Sequence, residues 1–216
     1  MKIEIKYRFE NKVKIKGNYK SLKECCEKNN ADLFNANLFN ANLSNANLFN
    51  AFLSNANLYN ANLFNANLSN ADLCNANLFN AFLSNANLFN ANLFNANLFN
   101  ANLRNADLSN ANLSNTNLCN ANLFNAFLSN ANLYNADLLG IKNYSEAHPV
   151  FFELVRKEKV ETFTAAQWSI IGQIQCHNLC WDSIKKRFGK KIIPIFKVLA
   201  KKGFTEFLKR YEKILK

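Results

Sequence analysis

The stretch NANLFNANLFNANLFN, residues 85–100, repeats a unit of five residues without interruption. Its apolar positions are too widely spaced for an α-helix, which needs three or four residues, and for a β-strand, which needs two. At 100° per residue, a period of five turns the leucine stripe by about 140° from one unit to the next, so no helical face would be apolar. The period therefore predicts a chain that changes direction every five residues.

The same unit runs from Ala31 to Gly140 as 22 pentads with no insertion. We number the positions of each pentad 1 to 5. Position 1 is alanine except at Thr116, position 3 is always leucine, and position 5 is asparagine until Gly140. Position 2 is asparagine or aspartate in all but three pentads, which carry Phe52, Phe82 and Phe127.

This pattern resembles the pentapeptide-repeat family, whose consensus is A(N/D)LXX, over about half of the chain. The resemblance implies a mainly β fold with helical caps: a right-handed quadrilateral parallel β-helix, or solenoid, with four pentads per coil and about 5.5 coils. Leucine would fill the centre of the coil, alanine would lie beside it, and the other three positions would point outward. Asparagine suits the corners because it tolerates left-handed conformations, and stacked asparagines can form amide ladders along the axis.

The segment before the repeat, residues 1–30, predicts an N-terminal cap. Apolar and polar residues alternate over residues 3–15, which indicates a β-hairpin that turns near Asn11. Ser21 and Glu24 have the spacing of a capping box, so a short helix should follow. Such a cap would cover the open edge of the first coil, which is otherwise an aggregation hazard.

The segment after the repeat, residues 141–216, predicts an α-helical domain. Thr164 and Gln167 have the spacing of a second capping box. Gly189 and Gly203 are expected to end helices. The chain is therefore expected to contain three parts: the cap, a repeat domain over residues 31–140, and this helical domain.

The net charge of +11 is unevenly distributed. Residues 1–30 carry +5 and residues 141–216 carry +9, whereas the repeat carries −3 from four aspartates and one arginine. No stretch is apolar and long enough for a membrane-spanning helix, and the N-terminal residues do not read as a signal peptide. Because the six cysteines are scattered, we expect reduced thiols and a cytoplasmic location.

The sequence predicts neither an enzyme nor a cofactor or small-molecule substrate. It holds two histidines, His148 and His177, and no glycine-rich phosphate loop. Serines recur at position 4 as fillers, with no histidine in the pattern to activate them.

The segment CHNLC offers weak candidates for a metal site: Cys176, His177 and Cys180 could supply three zinc ligands on a helix. Neighbouring apolar residues favour the alternative, cysteines packed in a core. We therefore predict no metal.

The aromatic residues at position 4 line up on one face. With four pentads per coil, this face carries Phe39, Tyr59, Phe79 and Phe99, followed by Cys119 and Leu139. Stacking along the coil is one explanation for such a row. A contiguous exposed apolar row is also typical of a contact surface, and we predict that a second copy or another protein partly covers it.

Tandem duplication offers a third explanation for some outward phenylalanines. Residues 49–78 and 79–108 differ at five of thirty positions, and residues 124–136 repeat 49–61 unchanged. A shift of six pentads moves a copy two faces around the coil, so duplication does not preserve a one-sided surface.

A basic cluster lies in the helical segment, at Lys185, Lys186, Arg187, Lys190 and Lys191. It is a candidate for contact with nucleic-acid phosphates, and the alternative is a solvated helix face.

Taken together, these features predict a non-enzymatic scaffold or protein-interaction module that self-associates or binds a protein partner, with no membrane association. Nucleic-acid binding through the basic ends is an alternative. The resemblance implies another, because some pentapeptide-repeat proteins mimic duplex DNA and modulate DNA gyrase. Those proteins have strongly acidic surfaces, and the nearly uncharged repeat disfavours that function here.

Overall fold

Parallel bridges between position-2 residues build the repeat into a β-helix solenoid. Each bridge joins residues 20 apart, from Asn37 and Asn57 at the start to Asn122 and Lys142 at the end. Four pentads therefore complete one coil. We name the faces by their first pentads: the first, second, third and fourth faces begin at residues 31, 36, 41 and 46.

The structure is a computed structural model that describes residues 1–144, 148–176 and 181–215. It divides into two units, Met1–Pro149 and Val150–Lys216. The first contains the solenoid and the N-terminal hairpin, and the second is helical. Among the described residues, no helix combines the length and hydropathy that crossing a bilayer requires.

Leucine and alanine form the interior of the solenoid. Every position-3 leucine, from Leu33 to Leu138, is at most 4% exposed, and so is every position-1 alanine from Ala36 to Ala121. Burial of each leucine contributes about 1.5–3 kcal/mol. Thr116 fits the alanine position because its hydroxyl donates a hydrogen bond to the carbonyl of Leu113, at 2.6 Å.

In a pentad with asparagine or aspartate at position 2, the backbone N–H groups find acceptors in a regular pattern. Position 1 donates across the corner to position 3 of the preceding pentad, position 2 donates to the coil before, and positions 3 and 5 donate to the coil after. Position 4 donates to the side-chain Oδ1 of position 2 in its own pentad. In the pentad 56–60 these five bonds measure 2.8–3.3 Å. Asparagine or aspartate at position 2 therefore completes the hydrogen bonding of the backbone, and the three pentads with Phe52, Phe82 and Phe127 lack this acceptor.

The corners of the coil are left-handed. From Asn35 to Asn135, every position-5 asparagine has a φ of +54° to +60°, and Gly140 has +67°. This conformation costs most residues about 1–2 kcal/mol but suits asparagine and glycine. The predicted amide ladders are present, for example from Asn95 Nδ2 to Asn75 Oδ1 at 2.7 Å.

A hairpin precedes the first coil. Strands β1 (Lys2–Tyr7) and β2 (Val13–Asn18) pair antiparallel, and β1 also pairs with β3 (Ala36–Asn37) at the start of the second face. Helix α1 (Leu22–Lys28) follows, with its N-cap at Ser21.

Two side chains from this segment bind the backbone of the coils. The Arg8 guanidinium donates to the carbonyls of Asn55 and Asn75, at 2.9 and 3.3 Å. Glu27 accepts from the Asn47 N–H on the fourth face, at 2.8 Å. The pairing of β1 and the Glu27 contact occupy backbone groups at the edge of the first coil, which would otherwise be open for pairing with other chains. The Arg8 contacts lie further along, in the second and third coils.

At its other end, the solenoid path continues past Gly140. The Lys142 N–H donates to the carbonyl of Ala121, and the Lys142 carbonyl accepts from Leu123.

Helix α2 (His148–Arg156) leads into the helical unit. The helices that follow it are α3 (Ala165–Cys176), α4 (Trp181–Phe188), α5 (Ile193–Lys201) and α6 (Glu206–Leu215). Three-residue and four-residue 3-10 turns span Val160–Thr162 and Gly189–Ile192. Thr164 and Gln167 exchange the two capping-box hydrogen bonds at the start of α3. Gly189 and Gly203 follow α4 and α5 with positive φ, as predicted for helix ends.

Aromatic side chains form the core of this unit. Phe151 makes edge contacts with Phe196 and Phe207, with ring centroids 5.7 and 5.6 Å apart. Tyr211 contacts Phe196 at 5.3 Å. All four side chains are at most 1% exposed.

Candidate functional site

Four aromatic rings stack on the second face of the solenoid. We call Phe39, Tyr59, Phe79 and Phe99 the aromatic strip. Successive ring centroids lie 5.4, 5.0 and 4.9 Å apart, and the planes are inclined by 20°, 4° and 10°. The rings therefore cover one another's faces and leave their edges toward solvent. Phe39 is 53% exposed, and the other three are half-buried.

The local backbone aligns these rings. Each strip residue donates its N–H to the Oδ1 of the asparagine two residues before it, at 3.1–3.3 Å. Those asparagines, from Asn37 to Asn97, are themselves joined along the face by hydrogen bonds of 3.2–3.4 Å between their side-chain amides. Because the ladder repeats every 20 residues, the rings beside it are held in the same register.

The aromatic stack ends at Phe99. Cys119, the next position-4 residue on this face, is buried, and burial together with nearby Asp137 raises the pKa of its thiol. Leu139, one coil further, is 69% exposed. The predicted apolar row thus continues beyond the rings as a buried thiol and an exposed leucine.

Aromatic residues also stack on the first and third faces. There serine or arginine interrupts the aromatic residues of position 4, and phenylalanines at position 2 partly fill the interruptions. Phe52 stacks on Phe34 with centroids 5.7 Å apart, and Phe82 stacks on Phe64 at 5.9 Å. Each pair joins position 2 of one coil to position 4 of the coil before it, a contact that counting position 4 alone cannot reveal. The signal for this arrangement is an aromatic residue 18 positions before a position-2 phenylalanine, as Phe34 stands before Phe52 and Phe64 before Phe82.

Several position-4 serines are buried although they lie on the outside of the coil. Ser54, Ser69, Ser84 and Ser114 are 5–8% exposed. Ser54 donates a hydrogen bond to Asp72, whereas Ser69 and Ser114 donate to the asparagine of their own pentad. A small side chain at position 4 is therefore covered by its surroundings on the surface of the coil.

The basic cluster lies on α4 and the 3-10 turn after it. Ile184, Phe188 and Ile192 are buried, and the five basic side chains between and beside them are exposed. The five are Lys185, Lys186, Arg187, Lys190 and Lys191. The fold therefore anchors the apolar residues of this segment and exposes its cations.

The metal candidates cannot be compared with the structure, because His177 and Cys180 lie outside the described residues and Cys176 is the last residue of α3. Within residues 1–144, 148–176 and 181–215, no three His, Cys, Asp or Glu side chains are grouped to hold a metal ion.

Comparison with known proteins identifies the repeat. A family model described as pentapeptide repeats matches in eight copies, over residues 29–65, 56–95, 66–105 and 101–140. These matches span more than half of the chain. A comparison with curated proteins returned no significant match.

Solved structures that resemble the chain include a pentapeptide repeat protein from the cyanobacterium Cyanothece 51142. It is 36% identical, over 47% of this chain and 82% of its own, with a TM-score of 0.46. HetL, a pentapeptide repeat protein involved in heterocyst differentiation regulation in Nostoc sp. strain PCC 7120, is 38% identical, over 49% of this chain and 52% of its own, with a TM-score of 0.40. QnrB1, a plasmid-mediated fluoroquinolone resistance protein, is 18% identical, over 53% and 71%, with a TM-score of 0.20.

The matched region coincides with the residues whose leucines, alanines and asparagines build the solenoid. Family membership fits a non-enzymatic repeat module. The chain belongs to the pentapeptide-repeat family.

Proposed function

We propose that the protein is a non-enzymatic interaction scaffold, in which the solenoid presents the aromatic strip to a second copy of the chain or to a protein partner. Pentapeptide-repeat proteins are generally structural or interaction modules, which supports the first part. We also propose that the solenoid is right-handed and four-sided with about 5.5 coils. The 20-residue register and the 22 pentads support this geometry.

The aromatic strip is the observation that carries the proposal. Its rings stack face to face, but their edges form a contiguous apolar row on the surface. Such rows typically mark contact sites. The surrounding solenoid holds only four aspartates and one arginine. A partner that covers the strip would therefore desolvate aromatic edges and amides rather than charges, which keeps the cost of association low.

The function as a DNA mimic that modulates gyrase has less support. Mimicry of a duplex needs dense negative charge, and four aspartates spread along the solenoid do not provide it. The scaffold is proposed to act in the cytoplasm, where the unpaired thiols of Cys25, Cys26, Cys74 and Cys119 would remain reduced.

The double variant Phe79→Asp and Phe99→Asp tests the contact surface. Charges in the middle of the strip would be buried by a partner, so we expect a lower molar mass in solution by light scattering than for the unchanged chain. The control is Phe49→Asp and Phe89→Asp, which places the same charges at exposed position-4 residues of the fourth face. The control should keep the mass of the unchanged chain.

Folding is checked by circular dichroism, because the variant also loses ring stacking worth roughly 0.5–1.5 kcal/mol per pair. If the strip variant folds and leaves both oligomeric state and solubility unchanged, the strip is not a contact surface between copies of the chain.

A further inference from the structure

We propose that the helical unit binds the phosphate backbone of double-stranded nucleic acid through the basic cluster. In α4 and the turn after it, buried apolar residues alternate with exposed basic residues. Ile184 and Phe188, four residues apart, bury one side of the helix, and this leaves Lys185, Lys186 and Arg187 exposed. Ile192 is buried in the turn, with Lys190 and Lys191 exposed before it.

Hydrogen bonding and packing fix the turn that carries Lys190 and Lys191. The Tyr211 hydroxyl on α6 donates to the Gly189 carbonyl at 3.2 Å, and Tyr211 is 1% exposed. Gly189 adopts a φ of +49°, which lets the chain change direction between α4 and the turn. The cations are thus presented by a packed surface, and a partner would not have to order a flexible tail before binding.

The charge of this surface is largely uncompensated. Elsewhere in the unit, carboxylates are already used: Glu153 pairs with Arg156 and Lys157, and Glu158 pairs with Lys202 at 2.6 Å. In the part of the chain that the structure describes, no carboxylate lies within 4.0 Å of the side-chain nitrogens of four members of the cluster. These members are Lys186, Arg187, Lys190 and Lys191.

Helix α5 carries two further exposed cations. Lys197 and Lys201 are exposed and four residues apart, so they lie on the same side of the helix. Among the described groups, neither takes part in an ion pair. Several phosphates, rather than a single anion, are needed to match such an extended set of charges.

The surroundings of the cluster favour nucleic acid over an anionic membrane. Peripheral membrane helices combine cations with apolar side chains that enter the bilayer. Val160 is the one exposed large apolar residue among those described in the unit, and it lies in a different turn from the cluster. The basic surface therefore lacks the exposed apolar side chains that would enter a bilayer.

The same composition favours a duplex over a single strand. Single-strand sites add exposed aromatic rings on which bases stack. The aromatic residue within the cluster, Phe188, is 8% exposed, and four of the five cations are lysines. Lysines attract phosphates as point charges without bidentate base readout, so binding should be independent of sequence.

The test is the salt dependence of binding, measured with the full chain and a fluorescently labelled DNA duplex by anisotropy. The variant replaces Lys186, Arg187, Lys190 and Lys191 with glutamine. Each phosphate contact contributes about 0.9 to the slope of log K against log salt, so four contacts contribute about 3.6. Between 50 and 200 mM salt, the unchanged chain should therefore lose about 150-fold more affinity than the variant.

A matched control replaces Lys2, Lys12, Lys16 and Lys20 with glutamine, which removes the same charge from exposed positions near the hairpin. Its slope should stay close to that of the unchanged chain. Circular dichroism verifies that both variants fold, as expected for exposed positions.

Three results would overturn the proposal. They are the absence of duplex binding by the unchanged chain at 50 mM salt, an equal loss of slope in the control, and tighter binding to anionic phospholipid vesicles or poly-glutamate than to the duplex.

Discussion

Replacing Asn112 with alanine tests whether position 2 completes the hydrogen bonding of the solenoid backbone. The Asn112 Oδ1 accepts from the N–H and the hydroxyl of Ser114, at 3.2 and 2.6 Å. The same side chain is joined to Asn92 and Asn132 in the amide ladder, at 3.2 and 3.3 Å. Ser114 is 8% exposed, so water has little access to replace the lost acceptor.

The expected loss follows from these four bonds. An unsatisfied buried donor costs about 1–3 kcal/mol, and each lost ladder bond costs about 0.5–1.5 kcal/mol, less where water can substitute. Asn112→Ala should therefore lower the free energy of unfolding by about 2–4 kcal/mol. Asn112→Asp keeps the acceptor and should cost less than about 1 kcal/mol. Asp72 already works this way, because it accepts from the Cys74 N–H at 3.1 Å.

Urea denaturation followed by circular dichroism measures both variants. Asn102→Ala is the matched control, since Asn102 occupies position 2 but its side chain makes one bond, to the N–H of exposed Arg104 at 3.2 Å. Its loss should be at most about 1 kcal/mol. If alanine at 112 costs no more than the roughly 1 kcal/mol expected at 102, the acceptor at position 2 does not stabilise the buried backbone as argued.

Two further predictions concern stability. Phe127 is 59% exposed and stacks on no ring in the described structure. Phe127→Asn should raise the free energy of unfolding by about 0.5–1.5 kcal/mol, because the new side chain can accept from the Ser129 N–H and donate a ladder hydrogen bond to Asp107. A lower melting temperature would contradict this. Burial raises the pKa of the Cys26 thiol to about 12 from 9.0. Between these pH values the folded chain keeps a proton that the unfolded chain loses. The contribution of Cys26 to the free energy of unfolding is therefore fully present below pH 9 and declines by up to about 1.4 kcal/mol per pH unit as the pH rises toward 12. Urea titrations should show a shallower decline for Cys26→Ala, and parallel curves would refute the assignment.

The interior of the solenoid could be predicted from the sequence because each interior position has one environment in every coil. A position that is always leucine, beside one that is almost always alanine, allows few arrangements. The corner asparagines were predictable for a similar reason, since their left-handed φ is a local property of the residue and their ladders follow from its repetition in every coil. The acceptor role of position 2 could not be predicted, because positions 2 and 5 both hold asparagine and the sequence does not distinguish which of them accepts from the backbone.

The outer surface was less predictable because its contacts join residues of different coils and different positions. Phe52 and Phe82 occupy space above position 4 of the preceding coil, which a comparison of like positions misses. The burial of Ser84 depends in the same way on surrounding side chains. The register of the aromatic strip followed directly from counting pentads, whereas its use as a contact surface depends on a partner that the sequence does not encode.

The 20-residue register also governs how such a protein can evolve. Gain or loss of any whole pentad keeps the leucines in phase, but only a multiple of four pentads keeps each face in line. The near-copy of residues 49–78 in 79–108 shifted the chain by six pentads, which carried the Phe52 unit from the first face to Phe82 on the third. The same event relates Phe79 to Phe49 on the fourth face, and Phe99 to Ser69, so the last pair diverged after copying. Duplication of any number of pentads can lengthen such a solenoid in a single genetic event, but unless that number is a multiple of four, an aligned aromatic face has to be restored by individual substitutions.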